Sequence, residues 1–393
     1  MNIIESPRRE GLREIKSNLL TIDRIVQRLW ASENDFAQPI DISSGVYIYG
    51  AGELGALAIE YCEACQIPIK GILDQQKTGQ ITGKTSEYLI CKPDEISFED
   101  RSHCSVAVAV ATTSFAPICE TLKTVGWNRV APFYSLTREK RAGHPLCNGW
   151  IVGSVSEYEL ATVRWICENW DDTESLAHYE AFLAWHIDSS ELPLTDYPVD
   201  PNQRYVIVPL MTEFACRHRQ MVDVGSHRGE SIKRLVDVGV VFSNYVLIEP
   251  DPVSRVHLDK TVKNCLTGAQ KVEFIDVVLG AHNTVKPFKE GLGYCSQLWS
   301  DSTTVRQVVT LDSLGYQPDF LKIHTEGSEL DVLLGATNTI QAHKPVLAFS
   351  VYHNRDGLCR AIAEAMQRFN GYKWYFRLHS YQGTGAFVYG IPK

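Results

Sequence analysis

What the chain lacks narrows it first. No apolar run reaches the length of a membrane span, so no membrane association is expected. No block of basic residues occurs and the formal net charge is −9, which argues against a nucleic-acid or anionic-lipid surface. The start of the chain carries Glu5, Arg8, Arg9 and Glu10 where an export signal would place an apolar core, and a cytoplasmic protein is expected. The eleven cysteines are scattered and odd in number, the usage of reduced thiols rather than of a disulfide framework. Cys62 and Cys65 stand close together, but late on an expected helix and without two further ligands at zinc spacing, so no metal is expected. What remains is ordinary for a soluble globular chain: 44% hydrophobic and 22% charged residues. At 393 residues, two domains are a better expectation than one.

Leu12, Ile15, Leu19, Ile22, Val26 and Leu29 recur at steps of three and four, the stripe of an amphipathic helix within residues 1–43. Two readings stand for that stripe: packing on its own domain, or a seam between two copies in a homodimer. Residues 44–140 then read as a small Rossmann-like domain. A β-rich run, Val46–Tyr49, precedes Gly50-Ala-Gly52-Glu-Leu-Gly55, a helix follows to about Cys65, and a second run, Ile69–Leu73, ends in Asp74. Strand, glycine fingerprint, helix and an acidic residue nineteen positions past Gly55 make a complete nucleotide-binding context. A third strand is expected over residues 106–111, with Thr112-Thr-Ser114 as a polar loop after it. This domain admits a nucleotide or nucleotide-sugar site, or a retained fold with an empty pocket. Residues 141–204 read as a helical connector, with two aromatic-rich helices at 156–170 and 173–187 separated by the capping candidates Asp171 and Asp172. It is expected to pack between the two α/β domains. Arg217-His-Arg219 is expected to be a solvated turn.

The second glycine loop organises the rest. The short apolar strand at Met221, Val222 and Val224 ends at Gly225, and Gly229 opens a helix from Glu230. Gly225-x-x-x-Gly229 is not the dinucleotide spacing, and the looser loop suits a nucleoside without a pyrophosphate, such as S-adenosylmethionine. Twenty positions past Gly229, Glu249 closes the next apolar run, where an acidic residue binds ribose hydroxyls. Asp276, near the end of a strand over residues 271–277, is placed to hold an adenine amine or to cap a helix. Residues 278–310 read as a lid or hairpin over the pocket. Further strands are expected at Phe320–Ile323, at residues 345–351, and in an antiparallel pair at residues 373–379 and 386–389. The whole is α/β: a seven-stranded doubly wound sheet of the class I methyltransferase type, preceded by the smaller domain and the connector.

Within residues 205–393, Val222-Asp-Val-Gly225, Ile248-Glu-Pro250, Val278-Leu-Gly280, Thr310-Leu-Asp-Ser-Leu314, Asp319-Phe-Leu-Lys-Ile-His-Thr-Glu-Gly-Ser-Glu-Leu330, Leu334-Gly-Ala336 and Lys344-Pro-Val346 resemble the FkbM family of S-adenosylmethionine-dependent methyltransferases. The resemblance implies O-methylation of hydroxyls on sugars or secondary metabolites, a small-molecule or glycan substrate, and no nucleic acid. It implies that Asp223, Gly225, Ser226 and Gly229 meet the cofactor's methionine part, that His227 also lies at the cofactor, and that Glu249 takes its ribose. Two positions depart from the family: His227 replaces an asparagine and His324 an aspartate. A histidine is a poor magnesium ligand but a competent base. His324 or His353 is therefore expected as general base, with Glu326 orienting base or acceptor. Two alternatives are a nucleotide-sugar-binding or scaffolding protein with a vestigial methyltransferase half, and an NAD-dependent oxidoreductase using Gly50, Gly52, Gly55 and Asp74.

Overall fold

The computed structural model describes residues 7–31, 40–138, 144–146, 148–207, 220–266, 268 and 270–393, with backbone only for 7–18 and 294. The Arg217–Arg219 turn and the side chains of Leu12 and Ile15 lie outside the described residues. Helix α1, Pro7–Ala31, buries Ile22, Ile25 and Leu29. Leu19, expected on that face, is 48% exposed, because the buried stripe turns by one position and takes Ile25.

The first sheet comprises β1 (Val46–Tyr49), β2 (Ile69–Leu73), β3 (Gly79–Thr82), β4 (Glu87–Cys91), β5 (Ser105–Val108) and β6 (Arg129–Pro132), in the order β3-β4-β2-β1-β5-β6. All its neighbours are parallel except β3 and β4. Helices α2 (Glu53–Ala64), α3 (Phe98–His103) and α4 (Phe115–Thr124) make the crossovers. Strand order reverses at β1, so the glycine loop after β1 and the loop after β5 flank a crevice at the carboxyl edge. β5 ends at Val108, shorter than its apolar run, and Ala109–Ala111 become loop.

Helices α5 (Glu157–Glu168) and α6 (Thr173–Asp188) start at Ser156, which forms a capping box with Glu159, and at Asp172, whose carboxylate accepts from Ser175 N–H. They do not lie between the sheets as expected. They share one apolar core with α1 and the second sheet, where Tyr179, Phe182 and Phe376 meet. Asp171 accepts from Trp374 N–H at 2.7 Å, and Arg377 pairs with Asp172 and Glu174. The second sheet's edge offered these helices an apolar face and a buried cation, and the helices carry the complement.

In chain order there follow β7 (Gln220–Val224), α7 (Glu230–Asp237), β8 (Asn244–Ile248), α8 (Pro252–Cys265), β9 (Lys271–Ile275), β10 (Val278–Leu279), β11 (Thr284–Lys289), β12 (Gln297–Leu298), β13 (Val305–Val309), α9 (Leu311–Leu314), β14 (Phe320–Ile323), α10 (Glu329–Gly335), α11 (Thr337–His343), β15 (Val346–Ser350), α12 (Arg360–Arg368), β16 (Tyr372–Leu378) and β17 (Ala386–Pro392). Seven of these strands form one sheet, β16-β17-β15-β14-β7-β8-β9, parallel except for the final hairpin strand β17 inserted beside β15. Its order reverses between β7 and β14, so the loops after those strands flank a second crevice. β10 to β13 make the expected cover, a separate four-stranded sheet.

Candidate active site

Both crevices open into one cavity of about 640 Å³. Gly50, Gly52, Asp74 and Thr112 line it from the first sheet. Gly225, Ser226, His227, Glu249, His324 and Glu326 line it from the second, and Phe288 and Gln297 from the cover. The turn between β16 and β17 joins the halves: Tyr381 N–H donates to Ala111 O at 2.8 Å, and Gln382 Nε2 to Val110 O at 2.7 Å.

The glycines of the second loop answer to the protein's own backbone. Gly225 and Gly229 have φ of +71° and +84°. A Cβ on Gly225 would stand 1.9 Å from His324 O, and one on Gly229 would press on Thr261 and Leu258. Asp223, expected at the cofactor, is fully buried and spent on structure: Lys322 Nζ lies 2.8 Å from its Oδ1, and Ser231 Oγ donates to Oδ2. Lys322 Nζ also reaches Gly225 O at 2.5 Å. The Asp223–Lys322 pair thus clamps the loop from beneath, and neither Asp223 nor Gly229 belongs to the cavity wall. Lys322 received no role from the sequence, although a lysine inside a four-residue apolar strand demands a buried partner. His227 sits in the left-handed region at φ +49°, a conformation asparagine and histidine tolerate better than most residues.

Glu249, at the end of β8, is 6% exposed. Its Oε2 accepts from His227 N–H at 2.7 Å and its Oε1 from Asp251 N–H at 2.8 Å, which fixes the carboxylate at the cavity wall. Burial raises its pKa to about 7, against those two hydrogen bonds. Asp276 turns away instead. It is exposed, pairs with Arg255 and Arg306, and does not line the cavity. The two arginines outcompete any adenine role, because a surface carboxylate goes to the nearest cations. The cover is held down by Asp251, whose Oδ2 accepts from Gly291 N–H at 2.7 Å and Ser296 Oγ at 2.6 Å.

His324, Glu326 and His353 converge after β14 and β15. Glu326 Oε1 lies 3.3 Å from His324 Nε2 and 3.2 Å from His353 Nε2. His353 Nδ1 lies 2.8 Å from Glu329 Oε1, so this buried ring stands between two carboxylates. Burial opposes a charge there, but Glu326 and Glu329 overcome it and raise the His353 pKa to about 10. Burial lowers that of His324 to about 4, against the pull of Glu326 and with help from the neighbouring cation. Despite its burial, the His353 cation and the hydrogen bonds from both histidines hold Glu326 far below the usual carboxylate range. At neutral pH the cluster is therefore His353 cation, Glu326 and Glu329 anions, and neutral His324. Tyr205 Oη meets His324 Nδ1 at 3.1 Å and Tyr352 Oη meets Nε2 at 3.0 Å. His324 and Glu326 line the cavity and His353 does not. Glu326 itself has φ +52°, a strained conformation for its type. These three are also the one group among the described residues that could hold a metal, their ligand atoms all within 4.8 Å.

In the first loop, a Cβ on Gly55 would lie 1.9 Å from Gly50 O, so Gly55 serves helix–strand packing and does not line the cavity. Asp74 accepts from the N–H groups of Ala51, Gln76 and Lys77, each at 2.9 Å. It braces the loop at the point where a ribose carboxylate was expected. Cys62 is buried in that unit's core and Cys65 ends α2; neither joins a metal-ligand group among the described residues.

A doubly wound sheet with an antiparallel strand inserted next to the edge, and a carboxylate fixed at the end of its second parallel strand, is the plan of the class I methyltransferases. Residues 223–374 match the family model described as the Methyltransferase FkbM domain. The chain therefore carries a methyltransferase domain of the FkbM family. The methyltransferase FkbM of Methylobacillus flagellatus KT is similar in structure at a TM-score of 0.59 and 19% identity, over 97% of this chain and 100% of that one, so the common fold takes in the first sheet as well. The SAH-bound Podospora anserina methyltransferase PaMTH1 aligns at a TM-score of 0.29 and 11% identity, over 62% of this chain and 99% of that one. No curated protein matches the chain.

Proposed function

We propose that the protein transfers a methyl group from S-adenosylmethionine to a hydroxyl of a sugar or secondary-metabolite substrate. The observation that carries this reading is Glu249, a carboxylate held at the cavity wall by two backbone N–H groups beside the Gly225 loop. Two vicinal ribose hydroxyls would donate to it, and Gly225, Ser226 and His227 would border the methionine part. Titration calorimetry with S-adenosylmethionine is the test. One site is expected, weakened about a hundredfold in Glu249→Ala, the loss of two hydrogen bonds to a charged group. Absence of heat with the wild-type protein retires the proposal.

The sulfonium is already an activated donor, so the protein must align three atoms and remove one proton. In the proposed step the acceptor oxygen forms its bond to the methyl carbon as the carbon–sulfur bond breaks. The electron pair stays on sulfur, leaving S-adenosylhomocysteine, and the hydroxyl proton passes to His324. With Nε2–H directed at Glu326, the lone pair of neutral His324 is on Nδ1, where the acceptor's hydroxyl would take the place of the Tyr205 hydroxyl, and Glu326 at 3.3 Å stabilises the imidazolium that forms. His353, expected as an alternative base, is already protonated and walled off from the cavity. Its proposed role is to fix Glu326. This step uses no metal.

A further inference from the structure

The cavity is larger than one nucleoside needs, and its two ends differ in chemistry. At the β7–β8 end stand Glu249 and the second glycine loop. At the β15–β17 side stand His324, Tyr352 and Arg204, and Gly50–Gly52 and Ala109–Thr112 of the first sheet line the same cavity.

Arg204 decides what the second end can take. Its Nη2 donates to Ser380 Oγ at 3.3 Å, and its guanidinium lies 6.0 Å from the centre of the Phe387 ring. Tyr352, Tyr205, Tyr389 and Tyr134 stand around its charge, and no ion pair of Arg204 occurs among the described residues. Arg204 is half-buried at the cavity wall and has no ion-pair partner among the described residues, so a ligand anion would supply its counter-charge. A guanidinium presents its donors in a fork that matches phosphate and carboxylate.

The first glycine loop faces the same space. Gly52 caps α2 without a side-chain hydrogen bond, and a Cβ built on it meets nothing within 4 Å, so this glycine is kept open by neither packing nor positive φ. Lys77, whose Nζ lies 2.7 Å from Ala51 O, places a second cation at the loop. Glu53 also lines this end.

We infer that the first glycine loop and Arg204 form the acceptor subsite, and that the acceptor is a hydroxyl compound carrying a phosphate ester or diphosphate, such as a nucleoside-diphosphate-linked sugar. Its anionic tail lies between Gly52 and Arg204, and its hydroxyl reaches His324. The first sheet is then a substrate-binding unit of the transferase rather than a second cofactor site. The inference deepens the methyl-transfer reading and rests on it for the word acceptor, but the anion subsite is tested separately.

Calorimetry of the full chain, with and without saturating S-adenosylhomocysteine, is run against inorganic pyrophosphate, adenosine diphosphate and uridine diphosphate. At least one diphosphate is expected to bind with S-adenosylhomocysteine in place. Stronger binding of a nucleotide than of pyrophosphate assigns the nucleoside-linked form, and equal binding assigns the simple phosphate ester. Gly52→Val and Arg204→Met are each expected to weaken the diphosphate at least about tenfold and to leave S-adenosylhomocysteine within about twofold. Arg204→Met is further expected not to lower Tm, because it removes a half-buried charge that has no ion-pair partner among the described residues; a structural arginine would lower it. No binding of any diphosphate up to about 10 mM, competition with S-adenosylhomocysteine, or unchanged affinity in Gly52→Val overturns the inference. Diphosphate binding without S-adenosylhomocysteine binding keeps the anion subsite and retires the methyl-transfer reading.

Discussion

At the scale of single residues the site is governed by where charge settles. His353 and His324 are neighbours with rings 5.1 Å apart, yet two carboxylates hold the first as a cation against its burial, and burial beside that cation keeps the second neutral. Replacing His324 by alanine is expected to cut kcat by about 10²- to 10⁴-fold with little change in cofactor affinity. Because His324 loses its proton near pH 4, kcat should show no limb between pH 6 and 7; an inflection there would show an unperturbed histidine. Incubation with EDTA should leave the rate unchanged, and a loss restored by a divalent ion would convert the cluster into a metal site. Glu249 behaves oppositely. Its raised pKa means that the folded protein takes up a proton as pH falls through about 7, and a protonated carboxyl cannot accept from both ribose hydroxyls. S-adenosylmethionine affinity should therefore fall below neutrality by up to about tenfold per pH unit, and Glu249→Gln should abolish that dependence.

At the scale of elements, two devices hold the loops that carry those residues. The Asp223–Lys322 pair ties β7 to β14 under the second glycine loop. Lys322→Met leaves an uncompensated buried carboxylate and should cost about 3–5 kcal/mol, read from denaturant unfolding. Combining it with Asp223→Leu should recover most of that loss, and if it does not, the pair is not the clamp. The second device is the His353 cluster between β14, α10 and β15. The carboxylate of Glu326 has a lowered pKa, so its contribution is present above about pH 4.5 and lost in acid. The cation of His353 has a raised pKa, so its contribution is complete below about 6.5 and lost as pH climbs through about 10. The neutral ring of His324 opposes stability below about 6.5. Tm should consequently peak near pH 6.5, and His353→Gln should flatten the alkaline side; an unchanged alkaline slope would remove His353 from this account.

At the scale of the whole molecule, two open sheets present their carboxyl edges to one another. The β16–β17 turn holds them in register through Tyr381 and Gln382. Gln382→Ala removes one side of that latch without touching either glycine loop. It should raise the KM for the acceptor several-fold and leave the affinity for S-adenosylmethionine unchanged; an equal effect on both would mean that the turn serves general stability. The connector helices belong to the second sheet's core, so the arrangement has two bodies meeting over a cavity rather than three in a row.

Alternation, apolar runs and glycine punctuation are local properties, and they were enough for the strands β1, β2, β7, β8 and β14 and for the helices that follow the two glycine loops, while His324 and Glu326 were singled out only by the family resemblance. The short strands β3, β4 and β6 escaped notice because four or five half-exposed residues carry little periodic signal. Partnership is not local. That Asp223 belongs to Lys322, that Asp276 belongs to two arginines, that two carboxylates favour the charged form of His353, and that Arg204 and Gly52 line one cavity all follow from how residues far apart in the chain are packed. A sequence of residue types shows which groups need partners; only the packed sheets decide which partners lie within reach, and that distance sets each group's charge and task.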